Sequence, residues 1–313
     1  MHLDLNPTTI PLSTFRTLLS SYETTLKTTT RSKALAKASS KGKKQKKIQS
    51  KKRAADSAQN EDGGHGHGHG LSQDAKKQVD AQVREFEALD AWRYESLPGL
   101  IERRSQGNAD EGEGKGGHSL SKDEVVKLME WKLKHGVYRP ALLGMIKSNQ
   151  EKSIQSATRS AFSLIQEEKC LDFQSNIQKG LDALTAPLRG VGPATASLIL
   201  SVASADIPFY SDDAFLWLCK RKDGGERSKE VRQNGELNVK YNIPEYKRLW
   251  DAVQKLRARL NEEAGEGEGI SCADVERVAL VVRHFDQSGL QNEATNREER
   301  EDGKRKKRRV HNE

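Results

Sequence analysis

The residues best placed to do chemistry lie between Leu181 and Leu218, which reads LDALTAPLRGVGPATASLILSVASADIPFYSDDAFLWL. A helix ending near Leu188 is followed by the bend Arg189–Gly190–Val191–Gly192, and a new helix begins at Pro193. Glycine at positions 190 and 192 permits positive φ in a tight turn and removes side chains that would obstruct a phosphate. Val191 can anchor the bend in a core, and Pro193 suits a first helical position, where an N–H would have no intrahelical partner. Ala194, Thr195 and Ala196 are small enough to let a paired helix approach closely. The N–H groups of such a bend point outward at a helix N-terminus, a ready anion site. Arg189, Gly190, Val191, Gly192, Pro193 and Ala194 are therefore the candidate grip on a DNA backbone, a contact that positions the duplex without reading bases. The same bend can also serve only as a connector between packed helices. Asp212 and Asp213 start the next helix, and Tyr210 and Ser211 just before them would line any pocket around Asp212.

The elements that must position these residues read as helices throughout, with no convincing alternating strands. Residues 10–28 suit a short amphipathic helix carrying Leu12, Phe15, Leu18, Leu19, Tyr22 and Leu26. Ordered sequence is expected to resume near Leu71, with a helix interrupted at Leu97–Pro98–Gly99. Ser121 followed by Glu124 fits a capping box, and the helix it opens ends near Gly136 with Lys132, Lys134 and His135 complementing its dipole. Further helices are expected over Pro140–Lys147, Glu151–Ile165, Cys170–Ala186, Tyr246–Leu260 and Ala273–Phe285, besides those from Pro193 and Asp212. The fold class is all-α: residues 71–290 form one helical domain, with disordered loops at 105–118 and 221–240. Residues 1–30 form a short N-terminal helix, 31–70 a disordered basic and His/Gly-rich linker, and 291–313 a disordered basic tail. Trp131, Trp217 and Trp250 fall on apolar faces and read as core, while Trp92, Tyr94, Tyr138 and Arg139 are candidates to face DNA.

The glycine bend, the small-residue helix after it, Pro208 in the connecting loop and Asp212 together resemble the helix-hairpin-helix DNA glycosylase superfamily. Members most like endonuclease III carry a lysine two residues after the second hairpin glycine and a catalytic aspartate eighteen beyond it; these positions are Ala194 and Asp212. The likeness is specific over Leu181–Leu218 and weaker through the helices from 121 to 290. It implies duplex DNA as partner and a monofunctional reaction. Once the base is flipped from the stack, Asp212 would stabilise the oxocarbenium ion on the sugar and orient the attacking water. Ala194 cannot form the family's Schiff base, and the cysteines of its iron–sulfur cluster are absent, so no cofactor is implied. The alternative is a noncatalytic DNA-binding or scaffold protein that keeps the fold without the chemistry. Asp212 or Asp213 is also what an ordinary helix cap looks like, and Asp213 reads as the cap or a surface charge.

Composition limits how much of the chain can fold. Of 313 residues, 34% are hydrophobic and 31% charged, too polar to offset ordering entropy along the whole length. No apolar run approaches the roughly 18 residues of a membrane span. The start, MHLDLNPTTIPL, lacks the order of a secretory signal. Cys170, Cys219 and Cys272 lie too far apart to suggest a disulfide framework or structural metal site, which points to a reducing intracellular compartment. The net charge of +8 is concentrated: eleven Lys or Arg and no acid occur from Arg31 to Arg53, and Lys304–Arg309 is an unbroken basic run. Lys41–Arg53 and Lys304–Arg309 resemble nuclear localisation signals, implying a nuclear import receptor and a nuclear location, and both can add salt-sensitive DNA affinity. His65, His67 and His69 alternate with glycine and could bind a transition metal weakly, but the stretch has no fixed geometry and reads as low complexity. The chain is expected to be monomeric, without a membrane association.

Overall fold

The computed structural model describes residues 3–56, 72–106, 118–136, 140–166, 172–219, 237–265 and 269–290, and for 40–56 the backbone alone. Among the described residues there are helices and no strands. Helices α1 (Leu12–Ser20) and α2 (Tyr22–Asp56) meet at Ser21. Then come α3 (Gln73–Ala91), α4 (Leu97–Ser105), α5 (Lys122–His135), α6 (Pro140–Lys147), α7 (Glu151–Gln166) and α8 (Lys179–Thr185). The chain closes with α9 (Pro193–Ser201), α10 (Asp212–Cys219), α11 (Ile243–Ala264) and α12 (Cys272–Arg283). No helix among the described residues is long and apolar enough to cross a membrane.

Local chemistry accounts for the boundaries. Ser121 and Glu124 form the expected reciprocal cap of α5. Asn242 with Glu245 does the same for α11, which begins before Tyr246, and Ser271 with Asp274 for α12. Pro98 does not interrupt the helix as expected. A π-helical turn over Trp92–Ser96 joins α3 to α4, and Pro98 occupies the opening turn of α4, where a missing N–H is tolerated.

Two expectations about the N-terminal part need correction. The N-terminal helix expected over 1–30 does not stand apart from the domain of 71–290, because Ile10, Phe15, Leu18, Tyr22 and Leu26 are buried in the same apolar core. The basic stretch assigned to a disordered linker continues α2 as far as Asp56. Its Ala, Lys, Gln and Arg are good helix formers with Gly42 the lone glycine, and the buried first turns supply the nucleus from which the helix propagates. The remainder of that linker, with His65, His67 and His69, the glycine loop and the tail from 291 lie outside the described residues.

A buried polar network fixes how the helices meet. Arg93 and Glu276 are 2% and 4% exposed, and the Arg93 Nη2 donates to Glu276 Oε2 at 2.7 Å and to Ser201 Oγ at 3.3 Å. The guanidinium stacks on the rings of Tyr94 and Trp131, 3.9 and 4.7 Å from their centroids. Beside it, Asp90 accepts from the Tyr22 hydroxyl at 3.0 Å and from Trp131 Nε1 at 2.7 Å. Burial pushes the Glu276 carboxyl up from its ordinary pKa, and the Arg93 charge opposes that shift. These contacts tie α2, α3, α5, α9 and α12 together. Removing one partner strands the other charge away from water. Glu276→Ala should therefore lower folding stability by about 3 to 5 kcal/mol. The readout is the urea midpoint; a midpoint near that of the unsubstituted protein would mean that Arg93 finds water.

Candidate nucleic-acid interface

The two glycines of the bend do different jobs. Gly190 has φ 78°, and a Cβ there would lie 2.8 Å from Met145 Cβ, so α6 packs directly against its α carbon. Gly192 is exposed with an extended backbone (φ −103°), and a Cβ there would meet nothing within 4 Å. Leu188 and Val191 are buried and pin the bend from below. Asn149, just after α6, clamps it: its Oδ1 accepts from the Arg189 N–H at 2.8 Å and its Nδ2 donates to the Arg189 carbonyl at 3.0 Å. The same Nδ2 bonds the Ile146 carbonyl at 3.1 Å, so bend and helix end share one amide. Nothing in the sequence marked Asn149, which sits in what reads as an ordinary polar turn.

With the bend held, some of its N–H groups find acceptors within it and others do not. The Val191 N–H reaches Leu188 O at 3.4 Å, and those of Thr195 and Ala196 reach Gly192 O at 2.9 Å. The N–H groups of Gly190, Gly192 and Ala194 have no acceptor among the described residues. Pro193 opens α9 and Arg189 is exposed beside the bend, while Ala194 is buried. From α5, Lys132 Nζ donates to Thr195 Oγ1 at 3.1 Å and lies 5.5 Å from the Phe209 ring centroid. It thus links the first turn of α9 to the loop that leads to Asp212.

The acid end departs from the sequence reading. Tyr210 is 1% exposed, stacked between Phe215 and Tyr246 at 5.4 and 5.9 Å, and its N–H donates to Ser197 Oγ at 3.0 Å. Ser211 is buried and caps α10, accepting from the Ala214 N–H at 3.0 Å. Both expected pocket walls are therefore core, because the aromatic ring and the cap each find a better partner inside than at a surface. The cap is Ser211 and not Asp213. Asp212 is half-buried and accepts from the Tyr241 hydroxyl at 2.9 Å. Tyr241 has φ 56°, a left-handed backbone that a bulky residue adopts only where its surroundings enforce it. The only hint of it in the sequence was an aromatic residue at the end of a polar loop.

Asp213 turns to a different environment. It lines a cleft of about 640 Å³ with Leu3–Pro7, Trp217 and Arg283, whose Nε lies 4.0 Å from its Oδ1. Burial first, then the Asp212 charge, push its pKa up to about 6, against the pull of Arg283 and Lys33. Trp217 donates to Leu5 O at 2.8 Å across this cleft, while Trp131 and Trp250 are buried core, as expected. Trp92 carries the Lys127 ammonium 4.2 Å from its ring centroid, and Tyr94 is enclosed in the polar network. Tyr138 and Arg139 lie outside the described residues. Comparison with protein-family models, with curated proteins and with solved structures finds no match to this chain.

Two outcomes follow from this geometry. Gly190→Ala should lose about 2 to 3 kcal/mol of stability through positive φ and overlap with α6, while Gly192→Ala stays near neutral, as chemical denaturation would show. A raised carboxyl pKa favours the protonated fold, so the Asp213 contribution is full below the unfolded value of ~3.9 and lost as pH rises through 6. Across that window the protein should lose on the order of 2 kcal/mol from this group, and Asp213→Asn should flatten the pH profile of its melting.

Proposed function

We propose that this chain is a nuclear DNA-binding protein that grips the backbone of a duplex with Arg189–Ala194. The observation that carries the reading is the set of three unengaged N–H groups, on Gly190, Gly192 and Ala194, at the start of a helix. Phosphate oxygens are the acceptors such a set suits, since donors and helix dipole act together. Gly192 leaves room for the approach, and Asn149 with Met145 holds the bend so that little ordering entropy is lost on binding. Nuclear import through Lys41–Arg53 and Lys304–Arg309 belongs to the same proposal, as does a monomeric state. Lys304–Arg309 lies outside the described residues.

The proposed reaction is release of a base by hydrolysis of an N-glycosidic bond, in the manner of the helix-hairpin-helix DNA glycosylases that the bend and Asp212 resemble. Asp212 is half-exposed at a helix start, and the Tyr241 hydroxyl holds its carboxylate in one orientation. Such a carboxylate can stabilise positive charge developing on the sugar and align water. Ala194 carries no amine, so the abasic strand would be left intact. The noncatalytic reading is favoured by the burial of Tyr210 and Ser211, and by a cleft that Asp213 lines and Asp212 does not.

Fluorescence anisotropy with a labelled duplex tests the grip. Gly192→Asp, which places a carboxylate against the phosphate without a clash, should weaken binding about tenfold or more, and unchanged affinity would remove the bend from the interface. Duplexes carrying uracil, alkylated or oxidised bases, scored for abasic sites, test the chemistry. Asp212→Asn should abolish release while leaving affinity nearly intact; release that survives takes Asp212 out of the mechanism, and no release by the unsubstituted protein leaves the noncatalytic reading.

A further inference from the structure

The basic stretch of α2 keeps the register of the helix's buried face. Stepping by three or four residues from Tyr22 passes Leu26 and Thr29, all buried, and then Lys33, Lys37, Lys41, Lys44, Lys47 and Lys51. At 3.6 residues per turn these positions form one stripe along the helix. The face that packs against the body in the first turns of α2 is therefore the face that becomes a row of lysine positions further along. From position 33 to position 51 the row extends over about 27 Å at ~1.5 Å per residue. No acid interrupts it between Arg31 and Arg53.

The row begins next to the interface. Lys33 Nζ donates to the carbonyl of His135 at the end of α5, at 3.0 Å. One turn back along α5, Lys132 bonds Thr195 at the start of α9. The stripe thus starts within two helical contacts of the bend and continues along α2 with Lys33 and Lys37 exposed.

We infer that α2 beyond Lys33 is a helical arm that lies along the phosphates of the duplex held by the bend, an inference that rests on the DNA-binding reading above. Like charges spaced three and four residues apart destabilise a helix by themselves, and a polyanion relieves the repulsion. Duplex DNA carries one charge per ~1.7 Å of axis with both strands counted, so lysine positions roughly 4.5 to 6 Å apart can each neutralise a phosphate along it. The arm is long enough to follow about eight base pairs at ~3.4 Å each. A flexible polycation would bind the same charges without needing the register that the stripe keeps.

Three full-length variants test this by duplex binding measured against salt concentration. Replacing Lys37, Lys41, Lys44, Lys47 and Lys51 by Gln should lower affinity at least tenfold near 0.15 M salt and reduce the log–log salt slope by about four, at ~0.9 per phosphate. Gly42→Pro keeps every charge and breaks the helix before Lys44; it should lose helical circular dichroism and reduce the slope by about two to three. Gly192→Asp should weaken binding without changing the slope by more than about one. A five-lysine variant that binds like the unsubstituted protein overturns the arm, and one that also loses nuclear accumulation assigns the segment to an import receptor instead. Gly42→Pro binding unchanged overturns the helical geometry. If Gly192→Asp has no effect while the lysine variant fails, the bend is wrong and the arm stands; no duplex binding by the unsubstituted protein ends both.

Discussion

Two opposite charges removed from water must keep each other, and the Arg93–Glu276 pair imposes that condition on this fold. Arg93 comes from the π-helical turn between α3 and α4, and Glu276 from α12 near the other end of the chain. Neither helix can slide without exposing or stranding a charge. Ser201 at the end of α9 bonds the same guanidinium, so the helix that carries the glycine bend is anchored at its far end by the pair. α12 also packs against α10, whose first residues are Asp212 and Asp213. Both pieces of the candidate site are thus mounted on elements that the ion pair holds in place. Such a pair is a weak source of net stability, and its value here is a single allowed arrangement of helices.

Within that frame the site is built by division of labour between chemically identical neighbours. Gly190 is required by its backbone and by the approach of α6, whereas Gly192 is the N-cap of α9 with open space where a Cβ would stand. The adjacent acids divide in the same way. Asp212 reaches partial exposure and a fixed hydrogen bond from Tyr241, while burial beside a second carboxylate keeps Asp213 protonated well above the ordinary range. A helix start separates them by about 100° of rotation, enough to give two acids two environments.

Much of the architecture was legible along the chain. Hydrophobic periodicity located the helices, and the Ser121–Glu124 capping box marked the start of α5 to the residue. The bend between Leu188 and Pro193 and the burial of Val191 followed from turn chemistry alone. Asp90 and Arg93 share a helical stripe with the buried Val79, Val83, Phe86, Leu97 and Ile101, a spacing that the sequence reading passed over and that the buried network explains. Asn149 and Tyr241 were not legible, because each acts on a residue distant in sequence through one side chain. The helical state of residues 31–56 was obscured by their charge, which composition reads as disorder whatever the neighbouring turns can nucleate.

The sequence by itself determined most of the helical segments outside residues 31–56, where several of them begin, and that a bend with two glycines precedes a pair of acids. These are local properties, set by caps, propensities and backbone freedom within a few residues. Only the tertiary structure decided that the N-terminal helices join the main core, that Tyr210 and Ser211 face inward, and that Asp212 and Asp213 part company. Those outcomes depend on which surfaces meet. Burial and pairing belong to contacts between segments far apart in the chain, and no local pattern specifies the other side of a contact.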